Sequence, residues 1–462
     1  MIKSICLCII IICTITSSYV YAQEPNQIIS LKELLQKSVA NAPNLITDLA
    51  AVDVKDAQLA AAKYNWLPAL NLNYQADIGT NNNLPGGYFS YGIVPSNSKV
   101  RIDGNSSTIL TDLGIVSLDW ELYNFGAFAA QQKVAASDLQ VEKLHFEQSK
   151  YNLEYTTISY YLQLARLQNF LQIQYQNILR NTEIKRTILA LAISGIKAGV
   201  DTSIAEAELS KARLIYLELN NQFKQAQLQL SSISGIPSDH LFPDSLFQDY
   251  LIKNVMSVTA ATADTMDHPT IQLYNALYRN SLDKETLIKK SYLPKISLEA
   301  AAWGRGSSVT ASDEFRNLNK GLGFERGNYL VGVGITYNII DYKKSKLQLR
   351  IQQASTAYSQ KQLQEQHVLL STSINEADIE LTTADNRLKE IPQQLKAANA
   401  AYRQKLSLYK NGLTDIIELN TALSTLYRAE TDYSNAKFLF CRAVFQKAIA
   451  TNQLTLLINS LK

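Results

Sequence analysis

The sequence contains the same proline-bounded pattern twice. Pro43 and Pro68 are 25 residues apart, as are Pro269 and Pro294, and the second pair follows the first at an offset of 226 residues. Pro68 and Pro294 each follow a leucine and precede a segment in which polar and apolar residues alternate. A repeat of this size predicts a tandem duplication, so whatever one half of the chain builds, the other half builds too.

The first 22 residues resemble a secretory signal peptide. Lys3 supplies a basic start, an apolar stretch follows, and Val20-Tyr21-Ala22 resembles a cleavage site. Removal of residues 1–22 would leave Cys441 as the remaining cysteine of four, which excludes an internal disulfide. We expect a first repeat over 23–234, a linker over 235–266, a second repeat over 267–450 and a tail over 451–462.

Four short segments alternate polar and apolar residues. They cover residues 70–78 and 116–122 in the first half, and 295–300 and 329–339 in the second. Strict alternation predicts β-strands with one polar and one apolar face. Any one of these segments taken alone favours a soluble β-sandwich. Strands of about ten residues are also long enough to cross a bilayer when tilted.

Several features together favour membrane strands over a soluble sandwich. The protein is expected to be exported, the strands form two hairpins with polar tips, and long helices flank each hairpin. Trp66, Trp120 and Trp303 lie in or beside the strands, as the aromatic residues of membrane interfaces do. Four strands cannot close a membrane barrel, and open sheet edges are not viable in lipid. The barrel must therefore be shared, with eight strands from two subunits or twelve from three.

Two long helices are predicted, one in each half. After Gly126 the chain continues to about Ser194 without proline or glycine, which corresponds to a helix of about 100 Å. Its counterpart covers Lys343–Lys410, where apolar residues between Ile374 and Tyr402 recur in steps of four and three, the period of a left-handed coiled coil. Pro392 lies inside this helix and should kink it. Shorter helices are expected at about 30–64, 203–233, 268–290 and 415–448.

Each long helix is followed by a turn with a similar sequence. Gly199 and Gly412 suit helix C-caps, and Asp201 and Asp415 suit the N-caps of the helices that follow. Since the two long helices are of similar length and start from paired hairpins, both turns should lie at the same far end.

These landmarks resemble those of the TolC-type outer-membrane efflux proteins. The resemblance covers about 30–450 and rests on the duplicated proline-to-strand junctions, on Trp120–Gly126 and, above all, on Tyr409–Leu419 with Leu426-Tyr427. It implies a mainly α fold with a transmembrane β-barrel: a homotrimer with four strands per subunit, twelve in all, and a long coiled-coil helical barrel in the periplasm. It also implies docking to a periplasmic adaptor protein and an inner-membrane pump, RND-type first and ABC second.

The resemblance also implies a gate at the periplasmic end. Tyr409 matches a tyrosine that holds the family's closed entrance, and Glu418 matches one of its entrance acids. Thr421 replaces a possible second acid, and Thr414 replaces the basic partner of the tyrosine network. We therefore expect a gate with fewer ionic links, whose acids are Glu418 and Asp415. Two simpler roles stay open: Asp415 as a helix cap, and Glu418 as a solvated residue outside the tube.

The exposed far tips are the expected contacts of the adaptor protein. They comprise Gly199, Val200 and Asp201 in the first half and Gly412, Leu413 and Thr414 in the second. Glu206 and Glu208 are expected on a solvated face.

Nothing in the sequence indicates an enzyme, a cofactor or a metal site. The histidines are dispersed, and neither a Ser/His/Asp spacing nor a glycine-rich phosphate loop occurs. Charges after the signal are nearly balanced and no basic run predicts binding to nucleic acid. His268 beside Pro269 is expected to be a junction residue.

The most economical interpretation is a passive exit duct in the cell outer membrane, in contact with its lipid and with a long periplasmic extension. It would conduct drugs or other small molecules delivered by an inner-membrane pump through the adaptor. One alternative is the duct of a type I protein-secretion system. Another is a periplasmic coiled-coil structural or adaptor protein, which would lack the alternating strands.

Overall fold

The computed structural model describes residues 28–80, 82, 102–195, 198–254 and 267–460. The predicted signal peptide, residues 255–266 of the predicted linker and most of the first hairpin tip lie outside these residues. In chain order the elements are β1 (Ile28–Ile29), α1 (Leu31–Asn41), α2 (Pro43–Lys63), β2 (Ala69–Thr80), β3 (Thr108–Tyr123), α3 (Ala127–Ile193), α4 (Gly199–Ser234), β4 (Phe242–Pro243), α5 (Phe247–Asn254), α6 (Pro269–Ser291), β5 (Lys295–Ser307), β6 (Arg326–Thr336), α7 (Asp341–Lys410), α8 (Ile416–Ala450) and α9 (Leu454–Ser460).

The chain forms two compact units. One comprises Val52–Glu142 and Asn275–Lys361, and we call it the sheet unit. The other comprises the described residues up to Ala51, Lys143–Tyr274 and those from Gln362 onward, and we call it the helical unit.

The duplication is visible in the boundaries of the elements. α2 begins at Pro43 and α6 at Pro269, because proline is well tolerated in the first turn of a helix. β2 begins directly after Pro68 and β5 directly after Pro294. The predicted helix at 30–64 is two helices, since Ala42 before Pro43 adopts an extended conformation.

The sheet unit contains one antiparallel sheet with the strand order β2-β3-β5-β6. Cross-strand partners share a face. Leu72, Val116 and Ala302 are aligned with Tyr329, and Leu70, Leu118 and Ala300 with Val331. These apolar residues of the four strands therefore lie on one face, which we call the apolar face. Asp112, aligned with Ala76, lies on the same face, whereas Ile115 and Leu330 lie on the other. Asn73, Ser117 and Glu299 lie on the opposite, polar face.

β3 is longer than predicted, and β6 ends earlier than predicted. β3 covers Thr108–Tyr123 rather than 116–122, because it is paired on both sides over most of its length. β6 ends at Thr336, so the prediction of a strand through Ile339 was wrong. Thr336 is paired with Lys295, the first residue of β5. Lys295 is preceded by Pro294, which has no N–H group and therefore cannot extend the hydrogen-bond ladder.

The connection from β5 to β6 packs on the apolar face of the two central strands. The ring of Phe324 lies over Gly114 and Gly304, where a Cβ atom would come within 2.5 Å and 2.7 Å of it. Tyr74 contacts the same ring edge-to-face, with a centroid distance of 6.3 Å. Glycine at these two positions thus makes room for the connection, and the outer edges of β2 and β6 stay clear of it.

The helical unit is organised around a core between α1, α3, α4, α5 and α8. Its fully buried side chains include Leu34, Tyr161, Leu230, Cys441 and Phe445. The short strands β1 and β4 pair in parallel at this core. The Tyr161 hydroxyl donates to the Ile29 carbonyl (3.2 Å) and accepts from the Asp244 N–H (3.1 Å). Burial raises the pKa of Tyr161 to about 12, so this hydroxyl stays protonated.

The predicted coiled-coil seam of α7 is confirmed by its burial. Ala377, Ala384, Ile391 and Ala398 recur every seven residues and are all buried. The helix continues through Pro392, which is exposed. The predicted kink at this proline stays a prediction.

The segments outside the two repeats are also ordered where described. The predicted linker contains β4 and α5, and the predicted tail contains α9, whose Leu454 and Leu457 are buried. Among the helices in the described ranges, none is both long enough and apolar enough to cross a membrane.

Candidate functional site at the helix turns

The turn after α7 is built by the two capping residues that the sequence predicts. Gly412 has a φ of 75°, a left-handed conformation that favours glycine at the end of a helix. The Leu413 N–H donates back to the Leu408 carbonyl (2.9 Å), as in a Schellman motif. Asp415 caps α8, because its Oδ1 accepts from the Glu418 N–H at 2.8 Å. The structure thus agrees with the cap interpretation of Gly412 and Asp415.

The turn before α4 differs from its prediction. The left-handed residue is Gly195, with a φ of 75°, whereas Gly199 is the first residue of α4. The prediction of Gly199 as a C-cap was therefore wrong: α3 ends at Ile193, one turn earlier than that glycine requires. The N-cap position is Ala198, so the prediction of Asp201 as a cap was also wrong. Asp201 lies in the first turn of α4 instead, with its carboxylate available to another partner.

That partner is Tyr409. Its side chain is fully buried, and its hydroxyl donates to Asp201 Oδ2 at 3.2 Å. Burial, together with the negative charge of Asp201, raises the pKa of Tyr409, so the hydroxyl remains a donor at any physiological pH. The bond joins the last turn of α7 to the first turn of α4, and hence connects the two duplicated halves at their turns.

Glu418 lies on α8 close to the end of α7. Its Oε2 accepts from Lys405 Nζ at 2.6 Å and from Thr414 Oγ1 at 2.5 Å. The hydrogen bond from Lys405, supported by the one from Thr414, lowers the pKa of Glu418. The side chain is 52% exposed. Thr414 carries no charge, so it cannot form the ion pair with the tyrosine network that a basic residue would form. Its hydroxyl donates to Glu418 instead.

A second apolar core holds these polar groups in place. It contains Ile184 and Ile188 of α3, Ala205 of α4, Tyr402 and Tyr409 of α7, and Leu419 and Leu423 of α8, so helices from both halves contribute. Ion pairs flank this core. Lys185 contacts Glu206, and Arg180 donates two hydrogen bonds to Glu430, at 2.8 Å and 2.5 Å. Glu206 thus lies on an exposed face, as predicted, and it forms an ion pair with Lys185 there.

The turns present apolar side chains to solvent. Val200, in the first turn of α4, is 62% exposed, and Leu413, in the turn after α7, is 73% exposed. Ile193 and Ile417 are exposed to 79% and 66%. Exposed apolar residues next to turns are typical of surfaces that bind another protein.

Some residues of this site were missed by sequence reasoning. Gly195 was overlooked because the duplicate alignment favoured Gly199. Lys405 was overlooked because one lysine among several on α7 gives no sequence pattern. Ile193 and Ile417 could have been found as isolated apolar residues beside the predicted turns.

The three tryptophans do not form one group. Trp66 and Trp120 lie 6.4 Å apart between ring centroids, and Trp120 Nε1 donates to the Trp66 carbonyl at 2.9 Å. Trp303 is aligned with Ile115, five residues along β3 from Trp120, and therefore lies on the polar face. Trp303 and Trp120 thus lie on opposite faces of the sheet, and the membrane-interface role of the three tryptophans stays a prediction.

His268 is a junction residue, as expected. It is buried at the start of α6, where its Nδ1 accepts from the Thr270 N–H at 3.3 Å. The ring contacts Tyr151 edge-to-face, and burial lowers the pKa of His268. In the described part of the chain, no three His, Cys, Asp or Glu side chains come together as a metal site would require.

Comparisons with known proteins identify relatives of this architecture. A family model described as outer membrane efflux protein matches residues 34–236 and 267–456. Among solved structures, the chain is similar to the outer-membrane channel OprN (17% identity, 92% of this chain and 90% of that chain, TM-score 0.71). It is also similar to CusC (13%, 94% and 95%, TM-score 0.76) and to the Campylobacter jejuni outer membrane channel CmeC (13%, 94% and 91%, TM-score 0.72). These likenesses show a shared fold. No curated protein sequence matches the chain.

The lowered pKa of Glu418 predicts a pH-dependent contribution to stability. A carboxyl whose folded pKa lies below its unfolded value of about 4.3 stabilises the fold above that pH and loses the effect as the pH falls through the folded pKa. Glu418→Gln should therefore lower the melting temperature at pH 7, and the difference from wild type should disappear in acid. Thermal unfolding from pH 3 to pH 8 measures this. Glu390→Gln, a substitution of an exposed glutamate on α7, is the control. A difference that persists unchanged at pH 3 would contradict the assignment.

Proposed function

The chain belongs to the outer membrane efflux protein family, and we propose that it is the outer-membrane exit duct of a tripartite efflux system. Family membership confirms the prediction of a passive outer-membrane efflux channel rather than an enzyme. It contradicts the alternative of a coiled-coil structural protein without a barrel. The proposal concerns what the duct carries, how it closes and what it binds.

The observation that carries the proposal is the four-stranded sheet, whose apolar face has side chains from all four strands. Every residue of β2 is exposed, including Leu70, Leu72 and Ile78 on that face. A sheet face of this kind is stable against lipid, whereas open strand edges are not. Three subunits would supply twelve strands and close the barrel, with the polar face lining its interior. The long helices α3 and α7 would form the periplasmic extension of the same tube.

The residues around the second turn are proposed to form the periplasmic gate. In a trimer each residue occurs three times at one level, so the bond from Tyr409 to Asp201 would connect the duplicated halves at three points. Glu418 and Asp415 would place carboxylates at the entrance, which favours cations in a narrow passage. Lys405 offsets part of that charge, because it is paired with Glu418. A gate of this composition relies on fewer ionic links than one with a double ring of acids.

The apolar tips are proposed to bind the periplasmic adaptor protein. Val200 and Leu413 are exposed beside Gly199, Asp201, Gly412 and Thr414, so both duplicated halves present a similar small apolar surface. A trimer would present six such surfaces. The inner-membrane pump is proposed to be of the RND type, with an ABC transporter as the second possibility.

The transported substrate distinguishes the two remaining functions. We propose drugs or other small molecules, in keeping with membership of the outer membrane efflux protein family. The alternative is the duct of a type I protein-secretion system. A gene for a proton-driven pump beside that of this chain would favour efflux, and one for an ABC transporter beside a large secreted protein would favour secretion.

The proposed role of Glu418 predicts a change in cation block. Replacing it with alanine removes three carboxylates from the entrance, so divalent cations should block the open duct less strongly, by about tenfold if their binding loses one charge-assisted contact. Conductance in planar bilayers with increasing Mg²⁺ measures the block. Glu390→Ala serves as the matched control. Unchanged block in the Glu418→Ala variant would place this side chain outside the passage.

The tip assignment predicts loss of resistance without loss of assembly. Leu413→Glu should abolish drug resistance in cells that depend on this duct, because a buried unpaired charge at a protein interface costs several kcal/mol. Leu413→Met keeps the apolar surface and should retain resistance. Trimers of both variants should migrate alike in unheated gels of outer-membrane fractions. Survival of resistance in Leu413→Glu would show that the adaptor binds elsewhere.

A further inference from the structure

A cavity of about 300 Å³ lies in the helical unit, where α3, α6, α7 and α8 meet. All of its lining residues belong to that one unit. Glu376 is one of them, so the cavity lies about 50 Å along α7 from the turn at Gly412. Its volume is at the lower end of the range for sites that bind small molecules.

Part of the cavity wall is aliphatic. Leu370 and Ala377 of α7 and Ala450 of α8 line the cavity, and all three are buried. Their burial places them on the inner side of the cavity, where they suit the apolar part of a ligand.

Two tyrosines of α3 add aromatic surface to this wall. The Tyr151 hydroxyl donates to the Ile449 carbonyl at 2.5 Å, and its ring contacts His268 edge-to-face with a centroid distance of 5.3 Å. These two contacts hold the Tyr151 ring in one orientation. Tyr155 follows one turn later, lines the same cavity and is 41% exposed. A flat apolar group could therefore pack here without rearrangement of Tyr151.

The charge of the cavity is negative. Among the described residues that line it, the charged ones are Glu376 and Glu380, which are exposed and therefore lie at its mouth. They are four residues apart on α7, so their carboxylates are neighbours on one helix face and repel each other. Burial lowers the pKa of His268, which is neutral at pH 7 and offsets no charge.

One of the two carboxylates has little compensation and the other has none. Arg442 Nη2 is 3.9 Å from Glu380 Oε2, at the outer limit of an ion pair. Glu376 forms no ion pair with any residue in the part of the chain that the structure describes. A positive charge from outside the chain would therefore be stabilised at this mouth.

Gln446 supplies a third acceptor. It lines the cavity, and its Oε1 is buried without a hydrogen-bond partner among the described residues. Gln446 is one helical turn from Arg442, the residue that reaches Glu380, and therefore lies on the Glu380 side of the cavity. A buried acceptor without a donor is unfavourable, so this oxygen is best satisfied by a ligand that carries an N–H group.

We propose that this cavity binds a small organic cation that consists of a protonated amine and an aromatic body. An ammonium group has three donors and no acceptor, which suits two carboxylates and one amide oxygen. Its positive charge would relieve the repulsion between Glu376 and Glu380. The aromatic body would pack against the rings of Tyr151 and Tyr155.

Other classes of ligand fit this cavity less well. An anion would meet two carboxylates at the mouth. A metal ion would find carboxylates from only two residues, and no group of three His, Cys, Asp or Glu side chains comes together in the described ranges. The proposal concerns the helical unit of one chain and does not depend on what the assembled protein conducts.

Binding of three naphthalene probes of different charge tests the proposal. At pH 7 naphthylmethylamine is a cation, naphthalenemethanol is neutral and naphthoate is an anion, and all three carry the same ring system. The full-length protein in detergent micelles should bind the amine about tenfold more tightly than the alcohol, because the amine adds a charge-assisted hydrogen bond. It should bind naphthoate more weakly than the alcohol. Isothermal titration calorimetry measures the affinities, with protein-free micelles as the blank.

Three variants locate the bound probe. Glu376→Gln should weaken binding of the amine by about tenfold and leave binding of the alcohol unchanged. Tyr155→Ala removes part of the aromatic wall and should weaken binding of both probes. Glu390→Gln changes an exposed glutamate of α7 that does not line the cavity, and it should alter neither affinity. All three positions are exposed, so the variants should unfold at the temperature of the wild type.

Several results would overturn the site. Equal affinity of the wild type for the amine and the alcohol would show that no cation is recognised. Binding of the amine that is as tight in Glu376→Gln as in the wild type would place the charge recognition elsewhere. Unchanged affinities in Tyr155→Ala would do the same for the aromatic body. None of these measurements involves conductance or drug resistance, so each would leave the proposed duct unaffected.

Discussion

The unpaired backbone along the outer edges of the sheet is the constraint on which the rest of the architecture depends. A face as apolar as that of β2 and β6 is favourable against lipid, but the N–H and C=O groups of an open edge are not. The N–H and C=O groups on these edges need a partner strand, and one chain supplies only one of the two strands in each such pair. Membership in the outer membrane efflux protein family supports the solution in which identical subunits complete one another. The glycines under Phe324 keep the connecting segment on the central strands, which leaves both edges accessible.

The helices follow from a second, independent pattern. A seven-residue recurrence of small or apolar side chains on α7, from Ala377 to Ala398, buries one narrow stripe of the helix. At the ends of the long helices the chain must reverse, and Gly195 and Gly412 do so with positive φ values. Tyr409 bonded to Asp201, and Glu418 bonded to Lys405 and Thr414, are the connections between elements that a gate could open.

Much of the fold could be predicted from sequence, because period and spacing are local. The proline-to-strand junctions, the alternating segments and the heptad stripe each appear within a few residues of one another. The features that could not be predicted depend on contacts between distant parts of the chain or on a single backbone angle. Gly199 and Gly195 are both plausible helix ends, and only the conformation distinguishes them. That Trp303 and Trp120 lie on opposite faces follows from the pairing of β5 with β3, which sequence alone does not give. The partners of Asp201 and Glu418 come from other helices and leave no trace in the local pattern.

The claim that identical subunits complete one barrel is tested most directly by native mass spectrometry of the protein extracted from outer membranes in detergent micelles. The account predicts one dominant species with three copies of the mature chain, stable until the detergent or heat separates the strands. A dominant monomer, or a dimer that persists at every protein concentration, would contradict it.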